Sequence, residues 1–214
     1  MNTLPKNIIK ESILRYNKRL EKYGPDDPRS LGWSNAKDQN LRFSQISKFI
    51  DLNNKIILDI GCGFGDFKNF LFSQNIFLKK YIGWDINENF INIAKEKNKD
   101  SEFYVKNLYL FKKKNTIADV GVMLGLLNYN LKNTEKNYEY SKKMICKAFD
   151  LVKKSLIVDF ISSHRSKSYP KESFIFYHDP SKVLEIISKI SNNFLVIHDY
   201  RPLPQKEFFI IINK

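Results

Sequence analysis

The chain has 214 residues, 43% of them hydrophobic, and a formal net charge of +13 at pH 7. No apolar run approaches the ~20 residues that a membrane-spanning helix needs, and Met1 to Lys6 lack the apolar core of a secretory signal, so we expect a cytoplasmic protein without a membrane span. The lysines are scattered, and their longest runs are as short as Lys112 to Lys114, which favours solvated faces over a nucleic-acid-binding patch.

The first fifty residues are predicted to form two helices that precede the first core strand. Apolar residues recur at helical spacing over 7–21, a breaker follows at 24–28, and a second helix is predicted over 37–50. We therefore predict a single domain over 1–214, with an N-terminal helical cap at 1–52 that covers a ligand-binding core at 53–214.

A glycine-rich turn follows the first core strand. Asp59 ends an apolar run, and Gly61, Gly63 and Gly65 alternate after it, which is typical of a strand that turns sharply into a helix beside a ligand. A dinucleotide-binding turn needs a small residue where this chain has Asp66. An acid before the first glycine suits instead the cationic amino group of an amino-acid-like cofactor such as S-adenosylmethionine. The alternative is a tight turn without a ligand.

A second apolar strand ends at Asp85, which is followed by Ile86. An acid at the end of the second strand sits where a ribose-binding carboxylate is expected. The alternative is a helix cap, but Asn87 is better placed to cap the next helix.

The rest of the chain alternates strand and helix, and the last two strands are close enough for an antiparallel hairpin. The predicted strands are 55–60, 79–85, 102–106, 117–123, 154–160, 194–199 and 207–213, and the predicted helices are 65–74, 88–97, 134–150 and 180–190. Asp179 and Pro180 predict the start of the last helix. Cys62 and Cys146 are expected to be free thiols, and no metal site is expected.

The acid and alternating glycines of 59–65 resemble the first motif of the class I S-adenosylmethionine-dependent methyltransferases. This resemblance implies an α/β fold with a Rossmann-like, seven-stranded, mostly parallel sheet, an antiparallel last strand and helices on both faces. It also implies S-adenosyl-L-methionine as cofactor and S-adenosyl-L-homocysteine as product. Asn107 and Leu108 take the place where the family often has an acid near the adenine, Leu124 would pass under the cofactor, and Asn128 would reach the acceptor or serve as a turn residue.

The segments Leu31-Gly32-Trp33-Ser34 and Leu41-Arg42-Phe43, with three later segments at 159–163, 176–180 and 198–200, are similar to a group of bacterial small-molecule methyltransferases linked to surface polysaccharides. In this interpretation Arg42 grips the methionine carboxylate, with a surface ion pair to Asp38 as the alternative. Trp33 packs over the cofactor or anchors its loop. Tyr177 and Tyr200 would line the acceptor pocket.

Methyl transfer mainly requires alignment of the acceptor and exclusion of water, but a hydroxyl acceptor benefits from a base. The candidates are His164, His178 and His198, of which we select His198 and His164, although a structural role is open for each. We therefore expect O-methylation of a polar small molecule, such as a sugar or another capsule or lipopolysaccharide precursor. The alternatives are an RNA methyltransferase, favoured only by charge, and a non-catalytic S-adenosylmethionine-binding protein. The sequence leaves the oligomeric state open.

Overall fold

The computed structural model describes residues 6–112, 115–164, 170–198 and 207–214. Two helices precede the first strand, α1 (Lys6–Tyr23) and α2 (Ala36–Phe49), with a short 3₁₀ helix at Pro28–Leu31 between them. The side chain of Asn35 caps α2 by accepting a hydrogen bond from the Asp38 backbone at 2.9 Å. Both predicted N-terminal helices are present with boundaries within two residues.

Seven strands form one sheet in the order β3-β2-β1-β4-β5-β7-β6. The strands are β1 (Ile56–Ile60), β2 (Lys80–Asp85), β3 (Glu102–Val105), β4 (Ala118–Met123), β5 (Val152–Ile161), β6 (Phe194–Ile197) and β7 (Glu207–Asn213). The helices between them are α3 (Asp66–Ser73), α4 (Glu88–Lys97), α5 (Thr134–Asp150) and α6 (Pro180–Ile187). Neighbours from β3 to β5 pair in parallel, and β7 runs antiparallel to both β5 and β6. This topology confirms the predicted sheet and its antiparallel last strand.

Helices cover both faces of the sheet because the strand side chains alternate between two apolar layers. Along β1, Ile57 packs in the layer that contains residues of α2, α3 and α4, whereas Leu58 packs in the layer that contains residues of α5 and α6. Both side chains are completely buried. Alternation along one strand thus explains why the helices divide between two faces.

Some boundaries differ from the predicted ones. The last helix ends at Ile187 rather than at 190, since residues 188–190 form a turn in which the Ile190 backbone bonds Ile187. β5 is longer than predicted, and β6 ends at Ile197. Asp179 caps α6 by accepting a hydrogen bond from Ser181 at 2.9 Å, and Pro180 begins the helix, as predicted. In the described residues, no helix combines the length and apolar character that crossing a bilayer requires.

The chain leaves β1 to build β2 and β3 on one side, and then crosses to build β4 and β5 on the other. Ligands bind at such switch points in open α/β sheets, outside the carboxyl ends of the strands. A ligand-binding site is therefore expected at the carboxyl ends of β1 and β4.

Candidate functional site

A cavity of about 430 Å³ lies at this point, within the size range of small-ligand sites. Its walls come from the β1–α3 turn, the end of β2, the loop after β4, the end of β5 and the start of β7, with α1 and the start of α2 over them. Nine of the residues singled out from the sequence line it: Trp33, Arg42, Asp59, Gly61, Gly63, Asp85, Ile86, Leu124 and Asn128.

The turn after β1 depends on glycine for both conformation and space. Gly63 has a φ of +54°, and a Cβ placed there would lie 2.9 Å from the Leu31 side chain. Gly65 has a φ of +81° and directly precedes α3 as its N-cap. A Cβ placed on Gly65 would lie 2.9 Å from Asn98 and 3.0 Å from Phe103. Gly63 therefore lets the N-terminal cap approach the turn, whereas Gly65 serves packing against the neighbouring helix and strand and is not a lining residue of the cavity.

Asp59 is a buried acid at the end of β1, with 3% of its surface exposed. It accepts a hydrogen bond from the Tyr81 hydroxyl, and no ion pair joins it to a basic side chain among the described residues. Burial raises the pKa of its carboxyl to about 7, against the opposing effect of the Tyr81 hydrogen bond. A carboxylate that lines a cavity without a counter-ion suits a cationic ligand group.

Asp85 connects the glycine turn to the end of β2. Its Oδ2 accepts a hydrogen bond from the Gly63 backbone at 3.1 Å, and its Oδ1 accepts one from the Asn87 backbone at 2.9 Å. Burial raises the pKa of this carboxyl. Asn87 is the cap of α4 and accepts a hydrogen bond from Asn89 at 3.1 Å, so Asp85 is not the capping residue.

Arg42 is engaged within the protein. Two of its N–H groups donate to the two carboxylate oxygens of Glu207, and its guanidinium lies 4.7 Å from the centre of the Trp33 ring. It donates a hydrogen bond to the Asp38 backbone oxygen at 3.4 Å and forms no ion pair with the Asp38 carboxylate, so the alternative of a surface ion pair is wrong. The expected grip on a methionine carboxylate competes with the bidentate pairing to Glu207.

Trp33 anchors its loop and lines the cavity, and its packing over the cofactor stays a prediction. It lines the cavity beside Gly125 and packs edge-on against Phe43, with ring centres 6.1 Å apart. Leu124, the first residue after β4, also lines the cavity.

Asp159 is a second buried acid, located near the end of β5 on the other side of the cavity from the β2 end. Its Oδ1 accepts a hydrogen bond from the Gly125 backbone at 2.6 Å, and 4% of its surface is exposed. Glu207 lies across the β5–β7 pair, opposite Ile161. Burial, and next the nearby Glu207 carboxylate, raise the pKa of Asp159 to about 7.

Asn128 joins the loop after β4 to the neighbouring segments. Its side-chain oxygen accepts a hydrogen bond from the Ile161 backbone at 2.9 Å, and its own carbonyl accepts one from Phe176 at 2.8 Å. The residue is 8% exposed and lines the cavity. Its hydrogen bonds therefore hold the loop after β4 against two neighbouring backbone segments, and the residue also lines the cavity.

Two other predicted cofactor contacts are absent from the lining. The side-chain oxygen of Asn107 accepts a hydrogen bond from the Tyr109 backbone at 2.9 Å, which makes it a turn residue. Leu108 is buried in the apolar layer with α5 and α6. A bound ligand would have to reach past the present cavity to contact either one.

The predicted bases and acceptor-pocket tyrosines also lie away from the described lining. His164 and His198 are exposed, with ring centres 6.2 Å apart, and His198 packs against Phe208. The Tyr177 hydroxyl accepts a hydrogen bond from the Glu172 backbone at 3.0 Å and does not line the cavity. Tyr200 lies outside the described residues.

Several lining residues were not selected from the sequence. α1 turns Ser12, Arg15, Tyr16 and Arg19 toward the cavity, and their spacing of three and four places them on one helix face. Asp66 also lines the cavity and accepts a hydrogen bond from Gln39 of α2 at 2.9 Å. The signal for Asp159 was available, because it is an acid near the carboxyl end of an apolar strand, like Asp59 and Asp85.

Cys62 lies inside the glycine turn and is 6% exposed. Its sulfur would be 2.8 Å from a Cβ placed on Gly83 of β2. Burial raises the pKa of this thiol well above its usual value. Both cysteines are free thiols, as predicted.

A family model described as a methyltransferase domain matches residues 51–201. The chain belongs to this methyltransferase family. The match covers β1 to β6 and includes the glycine turn, Asp85, Asn128 and Asp159.

Curated relatives of this methyltransferase include two bacterial proteins named ribosomal RNA small subunit methyltransferase A. The one from Mycoplasma mobile is 26% identical over 162 residues, which cover 74% of this chain and 62% of that protein. The one from Mesomycoplasma hyopneumoniae strain J is 33% identical over 103 residues, which cover 45% of this chain and 38% of that protein. The chain thus spans less than two thirds of the length of these relatives.

Solved methyltransferases share the fold over nearly the whole chain. Magnesium protoporphyrin IX methyltransferase (ChlM) from Synechocystis, with bound S-adenosylhomocysteine, has a TM-score of 0.65 at 15% identity and covers 95% of this chain and 99% of its own. A TehB-like S-adenosylmethionine-dependent methyltransferase from Corynebacterium glutamicum has a TM-score of 0.61 at 13% identity, with coverage of 96% and 100%. The predicted class I methyltransferase fold is confirmed, and S-adenosylmethionine as cofactor agrees with the family and with the ligand states of the Synechocystis structures.

Proposed function

We propose that this methyltransferase transfers a methyl group from S-adenosylmethionine to an oxygen atom of a polar small molecule, a sugar or another surface-glycan precursor. The observation that carries the proposal is the cavity at the ends of β1, β2, β4 and β5, which α1 covers. A covered cavity of this size suits a small acceptor. The glycan class is supported by the motif resemblance at the two ends of the chain.

The residues present fit the cofactor. Asp59, buried without a basic partner, suits the amino group of the methionine part, and Asp85 at the end of β2 suits the ribose hydroxyls. Ile86 and Leu124 supply apolar contacts beside them. When bound, S-adenosylmethionine supplies a methyl group that a nucleophile can attack.

We assign proton removal to Asp159 rather than to His164 or His198. Bound S-adenosylmethionine would supply the methyl group, the acceptor hydroxyl would lose its proton as it takes that group, and a carboxylate oxygen of Asp159 would accept the proton. The Gly125 backbone holds Oδ1 of Asp159, and a pKa of about 7 is well matched to a base at neutral pH. The two histidines are not among the described lining residues.

The first test is binding, measured by calorimetry with S-adenosylhomocysteine and, as a control, NADH. We expect the first to bind and the second not to. Binding of NADH alone would contradict the proposal at its base.

The second test is tritium transfer from labelled cofactor to a panel of sugar nucleotides. We expect Asp159→Asn to lower transfer by about 10²-fold or more and to keep its affinity for S-adenosylhomocysteine, because asparagine retains the oxygen that accepts from Gly125. His198→Gln and His164→Gln should transfer normally. Loss of transfer in either histidine variant, with Asp159→Asn active, would return the base to histidine.

RNA methylation is the second candidate function, and the curated relatives are the observation that favours it. Against it, the loop after β4 reads Leu126-Leu127-Asn128-Tyr129 and lacks an Asn-Pro-Pro-Tyr element, which counts against methylation of planar base nitrogens. α1 also lies over the cavity, where a structured RNA would have to enter.

A further inference from the structure

Among the residues that the structure describes, four arginines line the cavity: Arg15, Arg19, Arg29 and Arg42. Arg29 pairs with Asp27, and Arg42 pairs with Glu207. Arg15 and Arg19 form no ion pair with any carboxylate of the described residues. The cavity thus contains two guanidinium groups whose charge the protein itself leaves uncompensated by a direct ion pair.

Arg15 is held in a defined orientation. Its guanidinium carbon lies 3.6 Å from the centre of the Phe174 ring, which is the distance of a flat stacking contact. A guanidinium stacked in this way keeps its N–H edge for hydrogen bonding in the ring plane, and that edge fits two oxygens of a carboxylate or phosphate. No hydrogen bond to another described residue uses this edge.

The surroundings of Arg15 place it on the acceptor side of the cavity. Phe174 belongs to the segment between β5 and α6, and the backbone of this segment bonds the loop after β4, where Asn130 donates to the Phe174 carbonyl at 2.9 Å. Tyr16, the next residue of α1, packs instead against Phe90 of α4, on the side of Asp85. Arg15 therefore contacts the wall between β5 and α6, whereas Tyr16 contacts the side of the proposed ribose site.

Arg15 has two carboxylates nearby but forms an ion pair with neither of them. Glu11 lies one helical turn before it on α1 and approaches the Tyr129 hydroxyl at 3.5 Å, and Glu172 lines the same wall. Neither lies within 4.0 Å of the Arg15 guanidinium nitrogens. Arg19, one turn further along α1, donates its Nε–H to the Arg29 carbonyl at 2.7 Å and adds a second positive charge to the same face.

We infer that Arg15, stacked on Phe174, recognises a phosphate group of a small acceptor, with Arg19 as a second cation. The inference deepens the proposed function and rests on it. It narrows the acceptor to phosphorylated molecules, such as a sugar joined to a nucleoside diphosphate.

The experiment is calorimetry of uridine diphosphate binding to protein saturated with S-adenosylhomocysteine, at roughly 0.15 M salt. We expect Arg15→Gln to weaken this binding about tenfold or more and Arg15→Lys to restore only part of it, since lysine cannot offer two N–H groups in one plane. Lys18→Gln is the matched control, because it removes one charge from the exposed face of the same helix. It should bind as the unaltered protein does.

Binding of S-adenosylhomocysteine is measured first for every variant. If it fails in the unaltered protein, the proposed function fails. If it succeeds while uridine diphosphate does not bind, or binds Arg15→Gln equally well, the inference about Arg15 is overturned and the proposed function stands. A loss of S-adenosylhomocysteine affinity in Arg15→Gln would also overturn it, since Arg15 would then serve the cofactor. A short single-stranded RNA that loses affinity in Arg15→Gln while uridine diphosphate does not would assign the phosphate to RNA and overturn the small acceptor.

Discussion

At the scale of single residues, the position of Asp85 makes its structural role compatible with its proposed contact to a ribose. Its two oxygens accept backbone hydrogen bonds from Gly63 and Asn87, which ties the glycine turn to the start of α4. Each carboxylate oxygen has a further lone pair. The carboxylate can therefore shape the turn and still accept hydrogen bonds from a ribose.

We predict that Asp85→Ala weakens S-adenosylhomocysteine binding by about 1 to 3 kcal/mol, the usual contribution of hydrogen bonds to a charged group. Calorimetry measures the affinity, and circular dichroism checks that the fold survives. Asp100→Ala is the control, because Asp100 is exposed and pairs with Lys68 away from the cavity. Unchanged affinity in Asp85→Ala would limit this residue to holding the turn.

Site residues can be identified from the sequence when the pattern that marks them lies in consecutive residues. They cannot be identified when the role depends on a partner far away in the chain. Asp59 and Asp85 are recognisable because an apolar strand followed by an acid is written in consecutive residues. The partner of Arg42 is not, because Glu207 is 165 positions away and meets it only after β7 has joined β5. Asn107 does not line the cavity, and its side-chain oxygen accepts a hydrogen bond from the backbone of its own loop, so the cofactor contact stays a prediction.

At the scale of elements, the connection between β5 and α6 forms one wall of the cavity through Glu172, Phe174 and Ile175. Its end is fixed by His178, whose backbone donates to Ile161 and accepts from Ser163, each at 2.7 Å. The His178 ring is completely buried. Its Nε2 lies 3.3 Å from the Ser141 hydroxyl, and its Nδ1 has no hydrogen-bond partner in the described part of the chain.

We predict that acid destabilises this wall. Burial lowers the pKa of His178 to about 3 in the folded protein, below its value of about 6.5 in an unfolded chain. Between these values the unfolded chain binds more protons, so the free energy of unfolding falls as the pH falls, by at most about 1.4 kcal/mol per pH unit. Urea unfolding at about pH 7 and about pH 5 measures the effect.

His178→Phe is the matched variant, since phenylalanine keeps an aromatic ring among Phe160, Phe176 and Tyr138 and cannot bind a proton. Loss of the Ser141 contact shifts its stability equally at both pH values. The unaltered protein should therefore lose more stability than His178→Phe between them. Equal losses would show that His178 does not carry the acid sensitivity.

At the scale of the whole molecule, the net charge of +13 and the covered cavity point to different ligands. A strongly basic surface attracts nucleic acid without selecting a sequence. The proposed methyl transfer, by contrast, takes place in the cavity that α1 covers. Binding of nucleic acid to the basic surface would therefore not identify the methyl acceptor. Only a transfer assay can identify it.

We predict weak RNA binding that salt abolishes, together with no stoichiometric methylation of RNA. When a protein contacts six or more phosphates, moderate salt lowers its affinity roughly a thousandfold or more, because counterions are released on binding. Tritium transfer into total RNA and into sugar nucleotides is compared at moderate salt. Incorporation of one methyl group at a single RNA site would make RNA the acceptor.

Because Cys62 is buried in the glycine turn, the rate at which its thiol is modified can report how often the turn opens. A thiol reagent can reach this sulfur only when the turn opens, so the rate of its modification counts opening events. In Cys146→Ser, where Cys62 is the single cysteine, we expect slow modification by an aromatic disulfide reagent and slower modification still with S-adenosylhomocysteine, which would favour the closed turn. A rate that the ligand leaves unchanged would mean that the ligand does not stabilise the closed turn, whereas slowing would give a cofactor-binding assay that needs no methyl acceptor.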